Sequence, residues 1–237
     1  MTGKLYGLGV GPGDPELITL KALRVLQQVP VVAVPVSRHG EDSLALAVAK
    51  PHLRSEQEIM NLQMPMSRNR DCLQKAWDSA AGKLLEKLGE GLDVAFLTLG
   101  DASLYSSYSY LVEKVGELDP KVEIETIPGI TSFAAAAARL NLPLAKGDEL
   151  LAVVPLLEEP EVLGKLLPHF SNMVLMKVAR RYDELVRVLK ESGRAENAVF
   201  ISRCGLDGEI ISRDLEAETG RKHDYLSAII VKGAESK

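Results

Sequence analysis

A chain of 237 residues with 46% hydrophobic and 26% charged side chains is long enough to bury a sizeable core and has the composition of an ordinary globular protein. A net charge of −5 argues against general nucleic-acid binding, and no segment approaches the roughly 18 apolar residues a membrane span needs. Met1-Thr2-Gly3-Lys4 runs into a strand pattern without an apolar signal region, so the cytoplasm is the expected location; Cys72 and Cys204 read as buried small hydrophobes, not as a disulfide framework or a zinc site.

The first predicted strand, Leu5 to Val10, runs into Gly7-Leu8-Gly9-Val10-Gly11-Pro12-Gly13-Asp14-Pro15. This glycine pattern looks like a nucleotide fingerprint, but Pro12 and Pro15 remove two of the N–H donors a pyrophosphate would need. It reads instead as a rigid, bare backbone shelf at a strand end, suited to a compact uncharged or cationic ligand. Leu17, Leu20, Leu23 and Leu26 then suggest one face of a helix, followed by a strand at Val31 to Val36. That strand ends Val34-Pro35-Val36-Ser37-Arg38, without the acidic residue that a nicotinamide-binding Rossmann domain places there, so the oxidoreductase reading is weak. Further strands are predicted at Glu58 to Leu62, Val94 to Leu99 and Val122 to Ile127. A long helix carries Leu73, Trp77, Ala80, Leu84 and Leu88 on its apolar face and stops at Gly89 and Gly91. Leu104, Tyr105, Tyr108, Leu111 and Val115 suggest a further helical stripe.

After Pro128-Gly129 the pattern changes. A helix is predicted from Ile130-Thr131-Ser132 through Ala138, then strands at Leu151 to Pro155, Met173 to Val178, Ala198 to Ser202, Ile210 to Arg213 and Leu226 to Val231, with only two clear helices among them. The expected architecture is two α/β domains, residues 1–130 with a parallel sheet and flanking helices and residues 131–237 with a mixed sheet, and a ligand cleft between them.

In such sheets ligands collect at the carboxyl ends of strands. Three loops qualify: Gly7 to Pro15, Gly100-Asp101-Ala102-Ser103-Leu104-Tyr105, and Pro128-Gly129-Ile130-Thr131-Ser132. Each also has a plainer reading, with Asp101, Thr131 or Ser132 as a helix cap. Their order and spacing resemble the tetrapyrrole methylase family of S-adenosylmethionine-dependent enzymes, and Met176-Lys177, Arg203-Cys204-Gly205 and Ser227-Ala228-Ile229-Ile230 extend the resemblance over essentially the whole chain. The segment Gly100 to Leu111 resembles the branch that methylates C20 of precorrin-2 or cobalt-factor II in cobalamin synthesis. Uroporphyrinogen III, another corrin intermediate, a protein-bound diphthine precursor, or binding without catalysis remain alternatives. One departure is Ala102, where the family usually has proline.

The resemblance implies a cofactor, S-adenosylmethionine, held at Pro12, Leu99, Gly100, Asp101, Leu104, Thr131, Ser132, Met176, Cys204 or Gly205, and Ala228. It also implies a homodimer. Methyl transfer from a sulfonium asks for alignment, not a covalent nucleophile, so no protein-bound metal and no catalytic triad are expected. If a ring proton must be removed, Asp101, Tyr105 and Tyr108 lie in a suitable loop. A polycarboxylate substrate on an acidic protein calls for local basic residues. Candidates are Arg38 with His39, Arg68 with Arg70, and Lys177 with Arg180 and Arg181, while Tyr108 and Tyr105 offer rings to a flat macrocycle.

Overall fold

The computed structural model describes residues 2–37, 43–65, 67, 69–155 and 158–233. The chain divides into two compact units, Met1–Thr131 and Ser132–Lys237.

The first unit contains β1 (Leu5–Gly9), β2 (Val31–Val36), β3 (Glu58–Gln63), β4 (Val94–Thr98) and β5 (Ile124–Ile127) in one sheet of order β3-β2-β4-β1-β5, with every pairing parallel. Four helices connect the strands: α1 (Leu20–Gln28), α2 (Leu44–Ala49), α3 (Arg70–Gly89) and α4 (Tyr108–Leu118). Successive strand residues point to opposite faces, and here both faces are covered. Leu8, Val32, Val34, Ala95 and Leu97 pack with Ala22, Val25, Leu26, Ala45 and Val48 of α1 and α2. Leu5, Val31, Ala33, Val94 and Phe96 pack with Ala80, Leu84, Leu88, Leu111 and Val115 of α3 and α4. The chain therefore leaves β1 toward one face and β4 toward the other, although these two strands are neighbours. That reversal opens a crevice at their carboxyl ends.

The leucine stripe expected before β2 is not formed. Leu17 ends a short 3-10 turn, Pro15–Leu17, that Asp14 caps by accepting the Glu16 N–H at 2.9 Å. Thr19 caps α1 by accepting from Ala22 N at 3.2 Å, and Leu20 lies 80% exposed. Three-residue steps drift about 60° each around an α-helix, which spreads four leucines over half its circumference; the buried face is Ala22, Val25 and Leu26. The long stripe of α3 does form, with Ala80, Leu84 and Leu88 buried and Gly91 turning out of it at φ 81°. Cys72 on α3 is exposed and Cys204 half-buried, so the expectation of two buried cysteines fails.

The second unit opens with α5 (Ser132–Arg139) and builds a sheet from β6 (Leu151–Val154), β7 (Asn172–Met176), β8 (Ala198–Ser202), β9 (Ile210–Ser212) and β10 (Ser227–Val231). The order is β6-β7-β10-β8-β9; β6–β7 is the one parallel pairing and the others are antiparallel, so the sheet is mixed. Helices α6 (Glu161–Leu166) and α7 (Tyr182–Glu191) cover the face bearing Phe200, Ile229 and Val231, whereas α5 covers Ile201 and Ile230 on the other. β7 stops two residues short of the expected Val178, because Lys177 takes φ 60° and starts a 3-10 turn. No helix among the described residues is long and apolar enough to cross a membrane.

Candidate functional site

At the β1–β4 crevice three loops meet backbone to backbone. Gly11 and Gly100 exchange hydrogen bonds in an isolated antiparallel bridge, with Gly100 N to Gly11 O at 2.7 Å and Gly11 N to Gly100 O at 3.2 Å. A Cβ on Gly9 would lie 2.6 Å from Gly129 N and 2.7 Å from Gly100 O, and a Cβ on Gly129 would lie 2.2 Å from Gly100 O. Contact this close admits only glycine at Gly9 and Gly129, so each glycine here keeps two strand ends in touch. The first loop thus spends its backbone on holding its neighbour, and Pro12 is buried beside it. This explains why a chain with so many glycines in that loop is not a phosphate cradle.

Asp101 fastens the knot. Its Oδ2 accepts the Gly129 N–H at 2.8 Å, and its Oδ1 accepts the Ser103 N–H at 2.9 Å and the Ser103 hydroxyl. Burial pushes its carboxyl pKa up, but the bonds from the Ser103 hydroxyl and from the Gly129 and Ser103 N–H groups prevail and leave it below the ordinary range. A carboxylate so satisfied is a poor proton acceptor, which does not fit a general-base role for Asp101. A second clamp lies just downstream. Thr98 Oγ1 and Ser106 Oγ are 2.8 Å apart and buried, and Ser106 Oγ accepts the Tyr108 N–H at 3.0 Å, which fixes where α4 begins. No local sequence signal marks Thr98, whose partner Ser106 is brought to it by the folding back of the loop, whereas Ser103 and Ser106 make short turn contacts with Asp101 and with the Tyr108 N–H, each two residues away.

The two tyrosines part company. Tyr108 is 3% exposed within the α3/α4 face of the core; its ring stacks with Phe96 at 5.8 Å and covers Gly7, where a Cβ would fall 2.0 Å from Cζ. Its hydroxyl lies 3.0 Å from Thr126 Oγ1, and burial raises its pKa. A substrate-facing or catalytic Tyr108 does not fit this position. Tyr108→Phe should therefore cost about 1 kcal/mol of stability or less, with substrate KM and cofactor affinity unchanged, as urea denaturation and steady-state assays can check. Tyr105 is not on α4 at all; it precedes the helix at φ 49°, and its ring is 45% exposed. Leu99 and Leu104 flank the knot half-buried.

In the second unit the implied positions Met176, Cys204, Gly205 and Ala228 lie at one end of the three central strands. β10 lies antiparallel between β7 and β8, with Ala228 opposite both Met176 and Ile201, so the carboxyl ends of β7 and β8 flank the start of β10. Arg203 (φ 53°) and Gly205 (φ 73°) make the turn after β8, held by Arg203 Nη1 to Asp224 at 2.9 Å and Gly205 N to Glu209 at 2.9 Å. The Cys204 thiol is pushed up to about 11 by burial and by the Glu209 charge, which leaves it protonated and unreactive near neutral pH. Thr131 and Ser132 sit half-buried at the junction of the units, at the start of α5. Among the described residues the non-glycine positions with positive φ are Tyr105, Asn141, Lys177 and Arg203, and all but Asn141 lie in strand-end loops bearing these positions. Among the basic candidates, Arg38, His39 and Arg68 lie outside the described residues; Arg70 and Arg180 are exposed, and Arg181 pairs with Glu184 at 2.8 Å. No group of three His, Cys, Asp or Glu is gathered as for a metal among the described residues.

Residues 4–219 match the family described as Tetrapyrrole (Corrin/Porphyrin) Methylases. The chain belongs to that family. This tetrapyrrole methylase is 36% identical to the cobalt-precorrin-2 C(20)-methyltransferase of Salmonella typhimurium, over 98% of its own length and 97% of the relative's. It is 31% identical to the precorrin-2 C(20)-methyltransferase of a Sinorhizobium species, over 98% and 96%. In fold it is similar to the uroporphyrin-III C-methyl transferase of Thermus thermophilus crystallised with S-adenyl homocysteine, with a TM-score of 0.67, 24% identity and 97% of each chain covered.

Proposed function

We propose that this tetrapyrrole methylase transfers a methyl group from S-adenosylmethionine to C20 of the precorrin-2 macrocycle, with or without cobalt as part of the substrate, in cobalamin biosynthesis. One observation carries the reading: near-complete overlap, at 36% identity, with a relative named for that reaction. The knot of Gly9, Gly100 and Gly129 supports it as well, since a strand-end crevice built from backbone suits a ligand recognised through peptide groups and apolar contacts.

The residues present fit the cofactor. Leu99, Leu104, Met176 and Ala228 are half-buried apolar surfaces, and the backbone at Gly100 and Asp101 is fixed in place by the Gly11 bridge and the Ser103 and Gly129 bonds. When bound, the cofactor supplies an activated methyl group on a sulfonium. The chain's own contribution is then alignment and exclusion of water: Asp101 holds the β4 and β5 loops together, and Thr131, Ser132, Cys204 and Gly205 complete the implied contacts. Arg180 offers charge to the substrate carboxylates, and Arg38 is assigned the same role from its sequence position. The working form in this reading is a cytoplasmic homodimer without a resident metal; light scattering of the purified protein checks the dimer.

Incubation with isotopically labelled S-adenosylmethionine and either precorrin-2 or cobalt-factor II, followed by mass and carbon NMR analysis, tests the reaction. The expected product carries one new methyl at C20. Transfer to another carbon, or to neither macrocycle, overturns the assignment.

A further inference from the structure

We propose that Arg203 and Asp224 are positioning residues for the cofactor: their ion pair sets the backbone shape of the turn after β8, which carries Cys204 and Gly205. This deepens the tetrapyrrole-methylase reading above and rests on it. The antiparallel pairing of β8 with β10 places Ser202 opposite Ser227, and one step further the Arg203 N–H donates to Leu226 O at 2.9 Å. Both segments then leave the sheet. No residue from 203 to 210 is buried, so the turn takes its shape from polar links more than from packing.

Those links converge on one pair of side chains. Asp224 Oδ2 accepts from Arg203 Nη1 at 2.9 Å while its Oδ1 accepts the Leu226 N–H at 2.8 Å, so a single carboxylate orients both the guanidinium and the approach to β10. Arg203 Nε donates to Asp207 O at 2.7 Å and closes the turn on itself. The Arg203 backbone is left-handed at φ 53°, a conformation that glycine takes at no steric cost and an arginine does not. An arginine at this position is explained by the two bonds its side chain makes, so the strain and the clasp belong together. Global stability gains little from either. The side chains of the pair are 32% and 34% exposed, and ion pairs this open to water are weak. What the pair supplies is one defined backbone path at Cys204 and Gly205, two of the positions implied to touch the cofactor. A turn already in its bound shape binds more tightly because its ordering is not charged to the binding step.

The test compares full-length Arg203→Gly, Asp224→Asn and the double variant with the wild type, by calorimetric titration of S-adenosylhomocysteine and by thermal unfolding. Glycine relieves the strained φ, and asparagine keeps an acceptor for the Leu226 N–H, so each variant removes the clasp and leaves the rest of the turn. Melting temperatures should stay within about 3 °C of the wild type, while S-adenosylhomocysteine affinity falls roughly tenfold in each single variant. The double variant should bind no worse than about twofold below either single one, because both act through one contact. In steady state, KM for S-adenosylmethionine should rise and kcat stay unchanged. Arg187→Ala, which removes a comparably exposed set of ion pairs from α7, should alter neither reading. Wild-type affinity retained by Arg203→Gly, additive losses in the double variant, or melting temperatures lowered by more than about 6 °C would each overturn the proposal. A wild type that does not bind S-adenosylhomocysteine overturns the reading of the site and this proposal with it. A wild type that binds it but methylates neither macrocycle loses only the reaction, and the same titrations still decide the role of the pair.

Discussion

Replacement of Gly129 by alanine should destabilise the N-terminal unit by about 3 kcal/mol or more and weaken cofactor binding at least tenfold. The added Cβ would meet Gly100 O at 2.2 Å, Gly9 C at 2.7 Å and Gly9 Cα at 2.8 Å, all of them backbone atoms. None can swing aside as a side chain would. Gly9 is the last residue of β1, and Gly100 is pinned by its bridge to Gly11, so relief requires pulling apart the ends of three strands. A loss of this size corresponds to a melting temperature lower by roughly 6 to 12 °C for a chain of this length. The matched control is Gly82→Ala, on the exposed side of α3 with nothing within 4 Å of its added Cβ, where a gain of about 0.5–1 kcal/mol is expected. Differential scanning calorimetry with a titration of S-adenosylhomocysteine reads both effects. Equal melting temperatures for the two variants would mean the loops are not packed as described.

The contrast between these two glycines shows where sequence reading stops. Both are glycine in the sequence, and the special status of the first loop was legible because Pro12 and Pro15 spoil a phosphate site. What the glycines do was not legible, because Gly9, Gly100 and Gly129 come from three different strand ends and their contact exists only once β1 lies between β4 and β5. The strands themselves were readable as β-branched runs, and the α3 stripe was readable because its spacing follows the helical period over several turns. Tyr105 and Tyr108 were merged into one stripe for the same reason: three apart, they match that period. The hydroxyl of Ser106 decides otherwise by capturing the Tyr108 N–H, and this side-chain choice leaves no trace in hydrophobic patterning. Met176, Cys204, Gly205 and Ala228 carry no local signal at all. Only family resemblance implies them, and what brings their segments to one end of the three central strands is β10 running antiparallel between β7 and β8.

Asp101→Asn separates a structural carboxylate from a chemical one. An asparagine keeps the shape but has one acceptor oxygen and one donor nitrogen, whereas Asp101 accepts on both oxygens, from Gly129 N at 2.8 Å and from Ser103 N at 2.9 Å. Whichever way the amide turns, a donor faces a donor, and a hydrogen bond to a charged group is lost; the expected cost is about 3 kcal/mol near neutral pH. The sign of the pH dependence follows from the carboxyl pKa, which lies below its ordinary 3.8 in the folded chain. A depressed carboxyl pKa contributes stability that is fully present above the unfolded value and is lost as pH falls through the folded one. The stability gap between wild type and variant should therefore be flat from about pH 7 to about pH 5 and narrow only below about pH 4, as urea denaturation at several pH values would show. Affinity for S-adenosylhomocysteine should fall together with stability, because Gly129 and the residues after it lose their tie to the β4 loop. A general base would give the opposite pair of results: stability and cofactor affinity close to wild type, with turnover abolished. Observation of that pair would refute the tie and return Asp101 to the chemistry.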